Sequence, residues 1–146
     1  MAGLLPNTTY TLTVAGVTDV SGNAMTAPAT STFTSSGTVD FSVPAITSII
    51  PSKGATGVLT TSTIVLQFSK YMNPLSINTL TFTATNGATL VPGTISVSQD
   101  GTTAIFTPNF SLAPSTTYTV QLSTGITDLE GQSLAAYTST FTTGTQ

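Results

Sequence analysis

The side chains that could do chemistry in this 146-residue chain are few, and most of them are acidic. Asp128 and Glu130 share a D-L-E-G turn, and Asp19 stands in a similar D-V-S-G turn near the start. Carboxylate oxygens suit Ca²⁺, but the ion takes about six to eight of them, so Asn23 or Gln132 would have to contribute. The same pattern is typical of a turn in which Asp accepts hydrogen bonds from nearby backbone. We adopt turn capping and predict no cofactor, with calcium as the alternative.

Nucleophilic catalysis has no suitable base in this sequence. The chain contains no His and no Cys, and a Ser or Thr hydroxyl needs a general base before it can react. A Ser–Lys pair using Lys53 or Lys70 is conceivable, but no motif supports it. We therefore predict that the protein is not an enzyme.

The composition excludes several further classes. Two lysines, no arginine and a net charge of -3 argue against nucleic acid, which calls for clustered basic residues. The absence of Cys excludes a disulfide framework. No apolar run is long enough for a membrane span. A Thr- and Ser-rich, Lys-poor chain of this kind favours an extracellular or cell-surface location in bacteria.

The elements that must position these side chains are strands. Ile64, Leu66 and Phe68 alternate with outward positions, as in a half-buried strand. Asn86-Gly87 and Asp100-Gly101 are hairpin signals, and Asn73-Pro74 permits only one helical turn. Turn signals recur about every 8 to 12 residues without a helical period, which predicts an all-β sandwich.

An internal repeat sets the expected domain organisation. The sequence of Leu112–Leu122 recurs in nearly the same form from Leu4 onward. In both copies it is followed by a D-x-x-G turn and a closing strand that contains F-T. We therefore predict three parts. These are the C-terminal strands of a preceding repeat over residues 1–37, a linker over 38–45 and a complete domain over 46–146.

Five ordered motifs carry a family resemblance. They are P-x-x-x-A-x-G-V at Pro51–Val58, F-S-x-x-M-N-P at Phe68–Pro74, L-x-P-x-T-x-Y at Leu112–Tyr118, D-x-x-G at Asp128–Gly131 and F-x-T at Phe141–Thr143. The chain resembles the bacterial Ig-like domain found in surface-layer proteins. The resemblance implies an immunoglobulin-like sandwich of about seven strands, preceded here by a partial repeat of two to three strands. It also implies neighbouring Ig-like repeats as partners.

Several residues are expected to be structural. Tyr118 takes the position of a tyrosine corner, in which the hydroxyl bonds backbone a few residues upstream, here near Leu112 to Ser115. Tyr10 has the same position in the first copy. The remaining expected core residues are aromatic or sulfur-containing: Phe33, Phe68, Met72 and Phe141.

Two binding alternatives remain open. Tyr71 and Met72 could form an exposed contact patch, although the resemblance places the Met under the sandwich edge. Tyrosines could also stack on sugar rings. The predicted function is a non-catalytic structural or assembly module of a bacterial surface or extracellular protein. The alternative is an adhesin-like module for a carbohydrate or protein ligand.

The first copy lacks the strands that would cover it. Its Tyr10, Leu12, Val14 and Phe33 would face water, and unpaired strand edges are templates for pairing with another chain. We therefore predict self-association through residues 1–37, as a dimer or as a filament.

Overall fold

The computed structural model describes residues 4–5, 7–35 and 40–145. The chain divides into two compact units, residues 1–40 (unit 1) and residues 41–146 (unit 2). The predicted end of the partial repeat at residue 37, and the start of the linker after it, lie outside the described residues.

Unit 1 contains a two-stranded antiparallel sheet. Strand β1 (Thr9–Val14) pairs with β2 (Ala29–Thr34), so that Tyr10 stands opposite Phe33. The connection between the strands contains an isolated bridge between Thr18 and Ala24, which closes the turn around Asp19.

Unit 2 is a sandwich of two sheets. Its strands are β3 (Ile46–Ile50), β4 (Ala55–Val58), β5 (Ile64–Phe68), β6 (Phe82–Asn86), β7 (Thr89–Leu90), β8 (Gly93–Val97), β9 (Thr103–Pro108), β10 (Thr117–Leu122) and β11 (Tyr137–Thr143). One sheet has the order β4-β11-β10-β6-β7 and the other β3-β5-β9-β8. The predicted all-β, immunoglobulin-like class is confirmed. The short strands β4 and β7 account for the excess over the predicted seven.

Alternation along the strands builds the core. In β5, Ile64, Leu66 and Phe68 are buried while Gln67 faces water, because successive side chains of a strand point to opposite faces. In the opposing sheet, β10 buries Tyr118, Val120 and Leu122. The Phe82 and Phe106 rings, one from each sheet, lie 5.6 Å apart in a tilted arrangement.

A single 3₁₀ turn, Pro74–Ser76, follows β5. Asn73 begins the turn, and its side chain accepts a hydrogen bond from the Leu75 N–H at 3.1 Å. Pro74 supplies the fixed φ that suits the first helical position. Across the described part of the chain, no helix is long and apolar enough to cross a membrane.

Candidate functional site

The acids of the D-L-E-G turn lie beside a lysine from the segment that follows β5. Lys70 Nζ is 2.8 Å from Asp128 Oδ2 and 3.9 Å from Glu130 Oε2. The Asp128 side chain is fully buried, and that of Lys70 is nearly so. The same ammonium donates to the Ser42 carbonyl at 3.1 Å. A buried carboxylate is thus paired with a cation, which is the condition for keeping a charge inside a protein.

Local turn geometry orients the Asp128 carboxylate. The Gln132 N–H donates to Asp128 Oδ1 at 2.7 Å, and the Asp128 N–H donates to the Gln132 carbonyl at 3.0 Å. An isolated bridge also joins Asp128 to Met72 in the core. Sequence reasoning missed Lys70 as the partner. The only signal was a lysine inside the Phe68–Pro74 motif, and nothing along the chain shows which turn it meets.

This geometry bears directly on the calcium alternative. One Asp128 oxygen faces an ammonium, and the other accepts a hydrogen bond from the backbone N–H of Gln132. Within residues 4–5, 7–35 and 40–145, no three His, Cys, Asp or Glu side chains gather into a group that could hold a metal ion. As folded, the turn is organised around a buried ion pair.

Asp19 occupies the equivalent turn of unit 1. Its Oδ1 accepts from the N–H of Ser21 at 2.8 Å and from that of Asn23 at 2.9 Å, while Oδ2 accepts from the Asn23 side-chain amide at 2.8 Å. The Asn23 side chain is the largest cause that holds the pKa of Asp19 below its usual value. Residues 1–40 contain no Lys or Arg, so no basic side chain of the same unit can pair with this exposed carboxylate.

A tyrosine hydroxyl anchors the entry to β10. The Ala113 N–H donates to Tyr118 Oη at 2.8 Å, and the Tyr118 ring stacks on Phe141 with centroids 5.6 Å apart. Thr143 Oγ1 donates to the Ala113 carbonyl at 2.6 Å and accepts from the Thr116 N–H at 3.0 Å. These bonds tie the segment before β10 to the end of β11.

Unit 1 repeats this arrangement almost bond for bond. The Leu5 N–H donates to Tyr10 Oη at 2.7 Å, and the Tyr10 ring stacks on Phe33 at 5.7 Å. Ser35 takes the place of Thr143: its Oγ donates to the Leu5 carbonyl and accepts from the Thr8 N–H at 3.0 Å. The sequence repeat is therefore also a structural repeat, with unit 1 matching residues 112–143.

The two copies differ in what covers them. Phe33 is 49% exposed where its counterpart Phe141 is 2% exposed, and Leu12 is 59% exposed where Val120 is fully buried. We call the apolar side chains of unit 1 whose counterparts are buried its open face: Leu4, Tyr10, Leu12, Val14, Val17, Met25 and Phe33. The residues predicted as an interaction row all belong to it.

The remaining predicted residues lie in the core or on its border. Phe68 and Met72 are buried, whereas Tyr71 is 42% exposed. The Tyr118 ring is buried against Phe141 and presents no ring face for a sugar, whereas the partly exposed Tyr10 ring is stacked on Phe33 with one face. This geometry gives the carbohydrate alternative no support from Tyr118.

The profile of a protein family described as the bacterial Ig-like domain matches residues 40–143. No curated protein sequence matches the chain. Domains 1–6 of the surface-layer protein SbsC are 22% identical, with a TM-score of 0.55 over 71% of this chain, and the match spans only 14% of that chain.

Two further solved structures have a similar fold. PcoC, a methionine-rich copper resistance protein from Escherichia coli, is 18% identical, with a TM-score of 0.57 over 70% of this chain and 99% of its own. CopC from Methylosinus trichosporium OB3b is 13% identical, with a TM-score of 0.55 over 69% of this chain and 93% of its own. At these identities the likeness concerns the fold alone.

The buried ion pair generates the first prediction. Asp128→Asn should lower the free energy of unfolding by about 3 kcal/mol, because it removes the buried carboxylate that lies 2.8 Å from the nearly buried Lys70 ammonium. Adding Lys70→Met should recover most of the loss. Urea denaturation of the single and double variants measures both effects.

Glu130→Gln is the matched control in the same turn. Glu130 is partly exposed and 3.9 Å from the ammonium, so its removal should cost less than about 1 kcal/mol. Equal losses for Asp128→Asn and Glu130→Gln would contradict the assignment of the pair to Asp128.

The tyrosine anchor generates the second prediction. Tyr118→Phe should lower stability by about 1 kcal/mol, because the Ala113 N–H loses its acceptor. The control is Tyr137→Phe, since no hydrogen bond to the Tyr137 hydroxyl is found among the described residues. An unchanged denaturation midpoint for Tyr118→Phe would show that the bond contributes nothing.

Proposed function

The chain belongs to the bacterial Ig-like domain family, and we propose that it acts as a tandem spacer in a bacterial extracellular or cell-surface protein, without catalysis. The observation that carries this proposal is the repeated unit itself. One hydrogen-bond pattern occurs at residues 4–35 and again at 112–143, as expected for modules strung along a chain. The fold likeness to SbsC domains supports a surface setting.

The mechanism of such a spacer is mechanical. Unit 2 has one closed hydrophobic core between two sheets, and the interlocked bonds of Tyr118 and Thr143 tie its last two strands together. The buried Lys70–Asp128 pair holds the loop before β11 to the segment after β5. These contacts make unit 2 a rigid element. Its proposed role is to hold neighbouring parts of the protein at a fixed distance, and not to bind a substrate.

We further propose that unit 1 is an assembly surface. A two-stranded sheet is marginal alone in water, and the open face of unit 1 exposes large apolar side chains. Its strand edges can also template pairing with another chain. Together these features support self-association through unit 1, as a dimer or as a filament.

Oligomeric state tests this assembly role. The full chain should be a dimer or larger in light scattering, whereas a chain that begins at Phe41 should be monomeric. Phe33→Asp in the full chain is the matched control, because it places a charge on the open face and leaves unit 2 unchanged. A full chain that stays monomeric at high concentration would contradict self-association.

We also propose that folding requires no metal ion. The Asp128 oxygens are engaged by Lys70 and Gln132, and those of Asp19 by Ser21 and Asn23. Thermal melts in calcium and in excess chelator should therefore coincide. A rise of many degrees with calcium would indicate binding to the native state. Loss of that rise in Asp19→Asn or in Asp128→Asn would then locate the site.

A further inference from the structure

The Lys70–Asp128 contact of unit 2 places an amine against a carboxyl group inside the protein. Lys70 Nζ lies 2.8 Å from Asp128 Oδ2, so the carboxyl carbon Cγ is only one bond farther along the side chain. The Asp128 side chain is fully buried, and that of Lys70 is nearly so. Holding two reactants in a fixed geometry can raise their effective concentration to about 10⁵–10⁸ M. This contact therefore brings together the two reactants of an amide bond.

The two oxygens of the Asp128 carboxyl group have different partners, which suits them to different roles. Oδ1 accepts a hydrogen bond from the Gln132 backbone N–H at 2.7 Å. A fixed donor at this place also stabilises the negative charge that Oδ1 acquires when an amine adds to Cγ. Oδ2 faces the Lys70 ammonium, from which it can receive a proton. Oδ1 is thus suited to remain as the amide oxygen, and Oδ2 to leave.

Glu130 lies where the reaction needs a proton carrier. Its Oε2 is 3.9 Å from Lys70 Nζ, and its side chain is partly exposed. Hydrogen bonds of catalytic acids and bases are often long before the reaction begins and tighten as it proceeds. A small movement of the Glu130 side chain therefore allows it to take a proton from the nitrogen and to return it to the leaving oxygen.

The backbone on both sides of the contact holds the reactants together. Asp128 forms an isolated bridge with Met72, which lies two residues after Lys70. The Asn73 N–H also donates to the Thr127 carbonyl at 2.9 Å. Two adjacent residues of one segment are thus bonded to two adjacent residues of the other. Once unit 2 has folded, Lys70 and Asp128 have few ways to separate.

We propose that Lys70 and Asp128 form an intramolecular amide bond after unit 2 has folded, with Glu130 as the proton carrier. The Nζ–Cγ bond forms and the Cγ–Oδ2 bond breaks. One ammonium proton passes directly to Oδ2, a second reaches it through Glu130, and the third stays on the amide nitrogen. Oδ2 leaves as water with the first two protons. Charge and atoms balance, and no co-reactant is consumed.

The amide bond has a structural consequence within unit 2. It replaces two buried charges, which are costly even when paired, by one neutral group. It also links the segment after β5, a strand of one sheet, to the turn before β11, a strand of the other. Such a link restricts the unfolded chain as a disulfide does, and this chain has no Cys. The reaction occurs once per chain, and the inference does not rest on the spacer role proposed above.

The intact mass of the full chain tests the proposal. After refolding and prolonged incubation, the mass should be lower than that of the sequence by one water molecule. A chain kept unfolded in urea should retain the full mass, because the reaction requires the folded contact. A folded chain that retains the full mass would overturn the proposal. Urea denaturation reports the ion pair itself only in chains of full mass.

Tryptic digestion locates the bond. The chain contains no Arg and only two lysines, Lys53 and Lys70, so trypsin can cut it at two positions. An amide on Lys70 Nζ removes the charge that trypsin recognises, so the linked chain should be cut after Lys53 alone. Loss of water together with normal cleavage after Lys70 would indicate dehydration elsewhere, such as at Asp100-Gly101, and would overturn the proposal.

Four variants assign the roles of the residues. Lys70→Met and Asp128→Ala should keep the full mass, whereas Lys53→Met, which replaces an exposed lysine, should lose water as the unaltered chain does. Asp128→Ala is chosen over Asp128→Asn because an Asn side chain could form the same bond with loss of ammonia. Glu130→Gln should slow the loss of water by about a hundredfold or more.

Two results would overturn these assignments. Loss of water that persists in Asp128→Ala would exclude Asp128 as the partner of Lys70. An unchanged rate in Glu130→Gln would exclude Glu130 as the proton carrier. Where a variant does not fold, the mass and the digestion of the unaltered full chain decide.

Discussion

The structure of unit 2 depends on covering the apolar face of strands β10 and β11. A row of apolar side chains on these strands contributes little to stability until the sheet that contains β5 and β9 excludes water from it. The row consists of Tyr118, Val120, Leu122 and Phe141. Burial of side chains of this size contributes about 1.5–3 kcal/mol each, which is large against the net stability of a small domain.

Local bonds and burial make separate contributions here. The tyrosine anchor, the stacked ring pair and the Asp-closed turn occur in both units with nearly the same distances. They join residues within one short stretch and so arise wherever that stretch occurs. Burial needs a second layer from elsewhere in the sequence. Unit 1 therefore has the shape of the final strands, with an apolar face that is exposed.

The buried ion pair illustrates how such a layer acquires specificity. Apolar packing accepts many partners of roughly the right volume, whereas a buried carboxylate tolerates only a partner that brings a cation to one place. Lys70 lies two residues after β5, and the bridge between Met72 and Asp128 sets this segment beside the Asp128 turn. In unit 2 this charge pair ties the turn before β11 to the segment that follows β5.

Much of the fold follows from sequence alone, because the causes are short in range. Alternation in Ile64–Phe68, the Asn86-Gly87 and Asp100-Gly101 turns and the Asn73-Pro74 start each act over a few residues. The pairing of β11 with β4, and the meeting of Lys70 with Asp128, join residues distant in the chain. No local pattern encodes either of them. Only the closed sandwich decides which side chains lie opposite one another, because burial and ion pairing depend on distance in space.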